Sequence, residues 1–251
     1  MKILKALKKY YLTISIVLIL FFTYKYFTDN EIANPFLFPT VDKIKNSLVE
    51  NKSLLGLNLI ASFKLMIPAI VLSLGISLVV GTILGLNKKL REGLYPIIYT
   101  FSVVPSILLS PFALLLSPNF WVASLFLIVY GTVWSTLFAT ITGIMTIDKR
   151  YLETADTLEI YGLKRLFKVI LPAASPSIIS GFVNSLRATF IMLVYAEMYG
   201  SKYGMGFFVK KYSEFGLYDK TWAGFLFLVV VLVIVMQIFE SIKKRILHWT
   251  I

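Results

Sequence analysis

Apolar residues in this chain come in long runs rather than in strand-like alternation. Tyr11–Phe27, Leu57–Leu86, Leu94–Leu116, Trp121–Ile147, Val169–Tyr199 and Trp222–Phe239 are each nearly free of charge. A helix needs about 20 such residues to cross the roughly 30 Å of a bilayer's hydrocarbon. The pattern therefore predicts an all-α integral membrane protein with six spans in a single transmembrane domain over residues 1–251. The first run follows Lys2, Lys5, Lys8 and Lys9, which also fits a secretory signal, but no small-residue cleavage site comes after it. We read it as a span. Residues 34–53 are mixed and contain Pro35 and Pro39, as expected of a loop plus a short interfacial helix. The longest runs exceed the membrane thickness at about 1.5 Å per residue, and Pro68 and Pro172 with Pro176 are the expected bending points.

Composition agrees. Hydrophobic residues make up 58% and charged residues 15%, against roughly 45–50% and roughly 25% in soluble domains. There is no cysteine, and the one histidine, His248, lies near the C-terminus. A disulfide framework, a thiolate metal site and a histidine cluster are excluded, and no catalytic constellation is present. The formal charge of +12 is a topology signal rather than a nucleic-acid footprint. Fifteen basic residues fall in the N-terminal segment, in 88–91, in 149–168 and in 243–245; eight fall in the alternate segments. The basic-rich side faces the cytoplasm, which places both termini and the 148–168 loop inside.

Apart from Lys25 near the end of the first run, only Lys64, Arg187 and Glu197 lie within the predicted spans. Arg187 falls near the midplane, where a charge costs at least roughly 2.5–3.5 kcal/mol on insertion scales, and no acidic residue within these spans is placed to pair with it. It lines a pathway or clamps backbone carbonyls, and both readings stand. Glu197, near the end of its span, is either a pathway group or a helix-end cap. Lys64 reads as a snorkelling residue.

The segment 151–172 reads YLETADTLEIYGLKRLFKVILP. Leu152, Ala155 and Leu158 recur at helical spacing, and an acidic half (Glu153, Asp156, Glu159) precedes a basic half (Lys164, Arg165, Lys168). A short amphipathic helix in a cytoplasmic loop needs a docking partner to order it. The segment resembles the EAA motif of binding-protein-dependent ABC importer permeases. That motif runs E-A-A, three residues, G, nine residues, I-x-L-P. Glu153, Ala155, Leu171 and Pro172 match, Thr154 and Val169 are substitutions, and Glu159 occupies the glycine position. Gly162, three residues on, is the expected source of permissive backbone. Further matches, Leu171-Pro172-Ala173-Ala174, Ala196-Glu197-Met198 and Gly204-Met205-Gly206, are similar to the nitrate/sulfonate/taurine branch of these permeases. So are Ser62-Phe63-Lys64 and the glycines Gly75, Gly81 and Gly85.

The resemblance implies a type I ABC importer permease in a prokaryotic inner membrane. It implies a homodimer in membrane lipid, docked on a cytoplasmic ABC ATPase and served by an extracytoplasmic substrate-binding protein. ATP with Mg²⁺ would bind that ATPase, since this chain has no phosphate-binding G-x-x-x-x-G-K-[ST] loop. Glu153, Ala155, Asp156, Leu158, Glu159, Ile160, Tyr161 and Gly162 would couple to it, and Arg187 and Glu197 would line the pathway. The implied solute is a small anion of the sulfonate, nitrate or taurine class. A neutral vitamin or vitamin precursor of the riboflavin or thiamine-precursor class is the alternative, and a stand-alone secondary transporter is further off, since the chain has no midplane carboxylates or inverted repeats.

Overall fold

A computed structural model describes residues 2–248, with side chains from residue 11 onward. Every regular element among them is helical: α1 (Lys2–Asp29), α2 (Val41–Glu50), α3 (Lys52–Leu86), α4 (Lys88–Val103), α5 (Ser110–Leu116), α6 (Phe120–Met145), α7 (Lys149–Thr157), α8 (Gly162–Arg165), α9 (Leu171–Gly200), α10 (Met205–Glu214) and α11 (Tyr218–Ile246). Five helical stretches are long and apolar enough to cross a membrane: Tyr11–Asp29, Lys52–Leu86, Phe120–Met145, Gly162–Gly200 and Tyr218–Ile246.

The predicted span 94–116 is a bent pair, with α4 and the stretch Ser106–Leu116 meeting at 82°. Pro105 causes the break. Val104 before it is extended, at φ −69° and ψ 116°, as a residue preceding proline prefers. Pro105 has no N–H to offer the Phe101 carbonyl. That carbonyl accepts instead from the Val104 N–H at 3.2 Å and from the Tyr130 hydroxyl at 2.6 Å. Pro68, by contrast, sits inside α3 without ending it. Pro172 enters α9 at its first turn. A π turn, Leu166–Ile170, precedes it, and there the Leu171 N–H donates to the Leu166 carbonyl.

The chain divides into two compact units. One comprises the described residues up to 56 with 208–228. There, Tyr24 donates its hydroxyl proton to the Pro39 carbonyl at 2.7 Å, and Trp222 donates its indole N–H to the Leu37 carbonyl at 2.9 Å. Phe36, Phe38, Tyr218 and Phe225 gather around them. Thr40 caps α2 by accepting from Lys43, so a short helix is present where one was predicted.

The second unit comprises 57–207 and the described residues from 229 on. Its axis is α6, which is stitched to its neighbours by hydroxyls. Ser77 of α3 donates to the Val133 carbonyl at 2.7 Å, Ser185 of α9 to the Thr132 carbonyl at 2.6 Å, and Ser177 of α9 to the Ala139 carbonyl at 2.8 Å. Small residues let the backbones approach. A Cβ on Gly181 would overlap Ala139, and one on Gly81 would come within 2.7 Å of Thr140. Gly85 meets Ile144 in the same way, whereas Gly75 has open space around it. Leu65, Met66, Ala69, Ile128, Phe190 and Leu193 form the core where α3, α6 and α9 meet, and Leu232, Val235 and Met236 of α11 pack against it.

Candidate functional site

The loop after α6 is held by local chemistry. Asp148 accepts from the Arg150 backbone N–H at 2.9 Å and caps α7. Its carboxylate also takes two guanidinium hydrogen bonds from Arg150, at 3.0 and 2.5 Å. These bonds hold the Asp148 carboxyl at about 2, below the usual carboxylate range. At the other end of α7, Ile160 donates to the Ala155 carbonyl at 2.8 Å and Glu159 to that of Asp156 at 3.1 Å. This is the paired 6→1 and 5→2 closure of a Schellman cap. Its C′ residue must be left-handed, and Glu159 is, with φ 52°. Gly162 is also left-handed, with φ 60°. The permissive backbone expected at Gly162 is therefore present there, but the position that the resemblance assigns to glycine is left-handed too, with a glutamate in it.

Beyond the cap the chain folds back. Arg165 grips Asp156 at 2.6 and 3.4 Å and donates to the Leu152 carbonyl at 3.3 Å. The acidic and basic halves legible in the sequence thus meet through one pair. Ala155 is buried, and Leu152 and Leu166 pack on a core of Ile144, Ile170, Ala174 and Ile178. Glu153, Asp156, Leu158, Glu159, Tyr161 and Gly162 are exposed. Tyr151, Ala155, Leu158, Ile160, Val169 and Pro172 line a notch of about 460 Å³, beside exposed Leu163 and Phe167. So much exposed apolar side chain on an ordered loop marks an interaction surface.

A second feature runs along α9. Its exposed positions Ser180, Asn184, Arg187 and Ile191 recur at helical spacing, and three of the four are polar. Arg187 lies roughly 20 Å from the end of α9 at about 1.5 Å per residue, deep in a span. One guanidinium N–H donates to the Asn184 side-chain oxygen at 3.3 Å. Among the described residues no carboxylate comes within ion-pair distance of it. Lipid cannot solvate such a face, so it meets water, solute or another chain. One expectation needs correcting. Trp222–Phe239 understated the last helix, which runs on to Ile246. Glu240 is therefore helical and lines a cavity with Arg187 and Gln237, so acidic side chains are not absent from the neighbourhood of this arginine. Sequence reasoning missed Asn184, Gln237 and Glu240, although the Ser180–Asn184–Arg187 stripe was visible as a helical period.

Glu197 sits elsewhere. It is 1% exposed and accepts from the Gly206 N–H at 2.8 Å. The Met205 N–H donates to Ser62 Oγ at 2.9 Å and the Gly204 N–H to the Asn58 side-chain oxygen at 2.9 Å. Two α3 side chains and one from α9 together satisfy the first amides of α10, which have no partners within the helix. The structure does not bring Glu197 together with Arg187. The two resembling strings Ala196-Glu197-Met198 and Gly204-Met205-Gly206 are instead halves of one buried hydrogen-bonded junction.

Comparison with known proteins matches residues 73–248 to the family described as binding-protein-dependent transport system inner membrane component. A protein of Bacillus subtilis (strain 168) named as an aliphatic sulfonates transport permease is 29% identical over 178 residues, covering 71% of this chain and 64% of that one. The nitrate import permease NrtB of Synechococcus elongatus is 25% identical, covering 62% and 56%. The bicarbonate transport system permease CmpB of the same species is 32% identical, covering 54% and 49%. The matched stretch thus spans between about half and two thirds of these relatives' lengths. Among solved structures, an inward-facing form of the MetNI methionine ABC transporter superposes with a TM-score of 0.62 at 17% identity, over 74% of this chain and 92% of that one.

Proposed function

Since this chain belongs to the binding-protein-dependent transport system inner membrane components and has the type I ABC importer permease fold, we propose that it lines the pathway by which a small oxyanion crosses the membrane. The observation that carries this reading is the exposed polar stripe Ser180–Asn184–Arg187 within a membrane-spanning helix. Two copies facing each other would enclose that stripe. An arginine fork offers paired N–H donors to the planar oxygens of a nitrate, carboxylate or sulfonate. The relatives named for aliphatic sulfonates, nitrate and bicarbonate support an anion over a neutral heterocycle.

In this reading the loop 148–168 docks on a separate ATPase subunit, which binds ATP with Mg²⁺ and hydrolyses it. The notch beside Ala155 and Pro172 receives a side chain of that subunit, and Glu153 through Gly162 form the contact. An extracytoplasmic binding protein delivers the solute, and both termini lie in the cytoplasm. Co-purification tests the class: an ATPase should accompany the affinity-tagged chain from its native membrane, and recovery without one would sink it. Transport tests the solute. Arg187→Lys should retain part of the uptake and Arg187→Gln little; equal uptake by the wild type and Arg187→Gln would rule the anion pathway out.

A further inference from the structure

The groove between α9 and α11 is open and mostly apolar, but three polar side chains, Arg187, Gln237 and Glu240, border it. Its walls are Arg187, Leu232, Val233, Met236, Gln237 and Glu240, around about 410 Å³. The two helices run past each other at this level: Phe182 stacks edge-on against Phe239 with centroids 5.9 Å apart, and Leu232 and Met236 pack on the core that includes Phe190 and Leu193. Arg187 of α9 thus borders the same groove as Gln237 and Glu240 of α11. Asn184 takes one of its N–H groups, which orients the plane, and a guanidinium has five. Glu240 faces the same space, yet the two charges do not pair within 4.0 Å. A cation, an amide and an anion around one gap, with no direct ion pair, is the arrangement of a station for a small anionic guest.

We infer that Arg187 and Gln237 form a binding station for a single small oxyanion, and that Glu240 is the opposing charge that keeps the station weak. The inference rests on the pathway reading above and assigns the residues that set its affinity. Arg187 supplies the charge and a pair of N–H donors, and the Gln237 amide supplies another donor at the side. Leu232, Val233 and Met236 supply the apolar part of the wall. Such a site alone would hold its guest too well for transit, because conduction needs binding that is favourable to enter and weak enough to leave. Glu240 repels the same guest and, once the guest departs, supplies Arg187 with a long-range counter-charge.

Thermal unfolding of the detergent-purified full chain tests this, with sodium nitrate or sodium ethanesulfonate as the probe and ionic strength held constant with gluconate. The wild type should be protected at millimolar probe. Arg187→Gln should lose the protection. Glu240→Gln should show it at about tenfold lower probe concentration. Gln237→Leu, which keeps both charges and removes the donor, should need about tenfold more. Protection of Arg187→Gln equal to the wild type would overturn the station, as would an unchanged concentration dependence in both Glu240→Gln and Gln237→Leu. If the cavity is filled by a second copy of the chain, Arg187→Gln will change the oligomer size while the probes protect nothing, and the inference fails. The assay contains no ATP and no partner, so its failure counts against this site, whereas failure to recover an ATPase counts against the permease reading.

Discussion

Ile160 donates its N–H to the Ala155 carbonyl at 2.8 Å, and that bond places Glu159 between them at φ 52°. A side chain in the left-handed region costs roughly 1–2 kcal/mol, and glycine at the same place costs almost none. Glu159→Gly should therefore tighten the loop. We expect hydrogen exchange at the Ile160 amide to slow about fivefold, the equivalent of roughly 1 kcal/mol in local opening. Faster exchange in the glycine variant would show that the Glu159 carboxylate does more for the cap than its backbone costs.

The N-terminal cap of α7 should titrate only in strong acid. Arg150 holds Asp148 at about 2, against 3.8 for an unperturbed carboxyl. A depressed carboxyl contributes its stability in full above its unfolded value and loses it as pH falls through the folded one. The cap is thus intact at neutral pH and fails between about pH 4 and pH 2. Following exchange at the Arg150 amide across that window checks the sign. Asp148→Asn keeps the cap's acceptor and should abolish the pH dependence.

The buried junction at Glu197 should tolerate one substitution and reject others. Glu197→Ala leaves the Gly206 N–H without its partner in a dry site, an unsatisfied group costing roughly 1–3 kcal/mol, and adds a cavity. Glu197→Gln retains an acceptor and should cost less. Gly206→Ala drives its methyl into the Val194 carbonyl, a backbone clash that neighbouring side chains cannot relieve, and should cost roughly 1–3 kcal/mol. Folded yield and thermal midpoint in detergent rank the three. Equal loss in the alanine and glutamine variants of Glu197 would refute the capping role.

The basic-residue asymmetry predicts a sidedness. The chain has no cysteine, so single introduced thiols report cleanly. A cysteine at Lys164 should react with an impermeant reagent only after the membrane is opened, and one at Ser117 should react in intact cells. The reverse pattern would invert the topology and remove the 148–168 loop from any cytoplasmic ATPase.

The all-α class, the membrane spans and the amphipathic loop were legible because each depends on contiguous residues. Apolar run length sets whether a helix can cross a bilayer. The charge order of the loop was visible as an acidic half and a basic half, and the Asp156–Arg165 pair joins them. Even the left-handed turn could be located from its register ahead of Leu171-Pro172, although the glutamate in it pointed sequence reasoning toward Gly162 alone. The break in 94–116 carried a local cue, Pro105, that the apolar run around it concealed. The rest depended on which distant residues the helices brought together. Gly75 and Gly81 look alike in sequence, and only packing against α6 gives Gly81 a reason to be glycine. Glu197 read equally as a pathway group or a cap until Asn58, Ser62 and the amides of 204–206 were seen to close one buried network. Arg187 seemed to lack an acidic neighbour because Glu240 lies beyond the end of an apolar run, and no periodicity relates the two. Hydropathy sets the length of a helix, whereas what faces a charge inside the membrane is decided by which helix packs beside it.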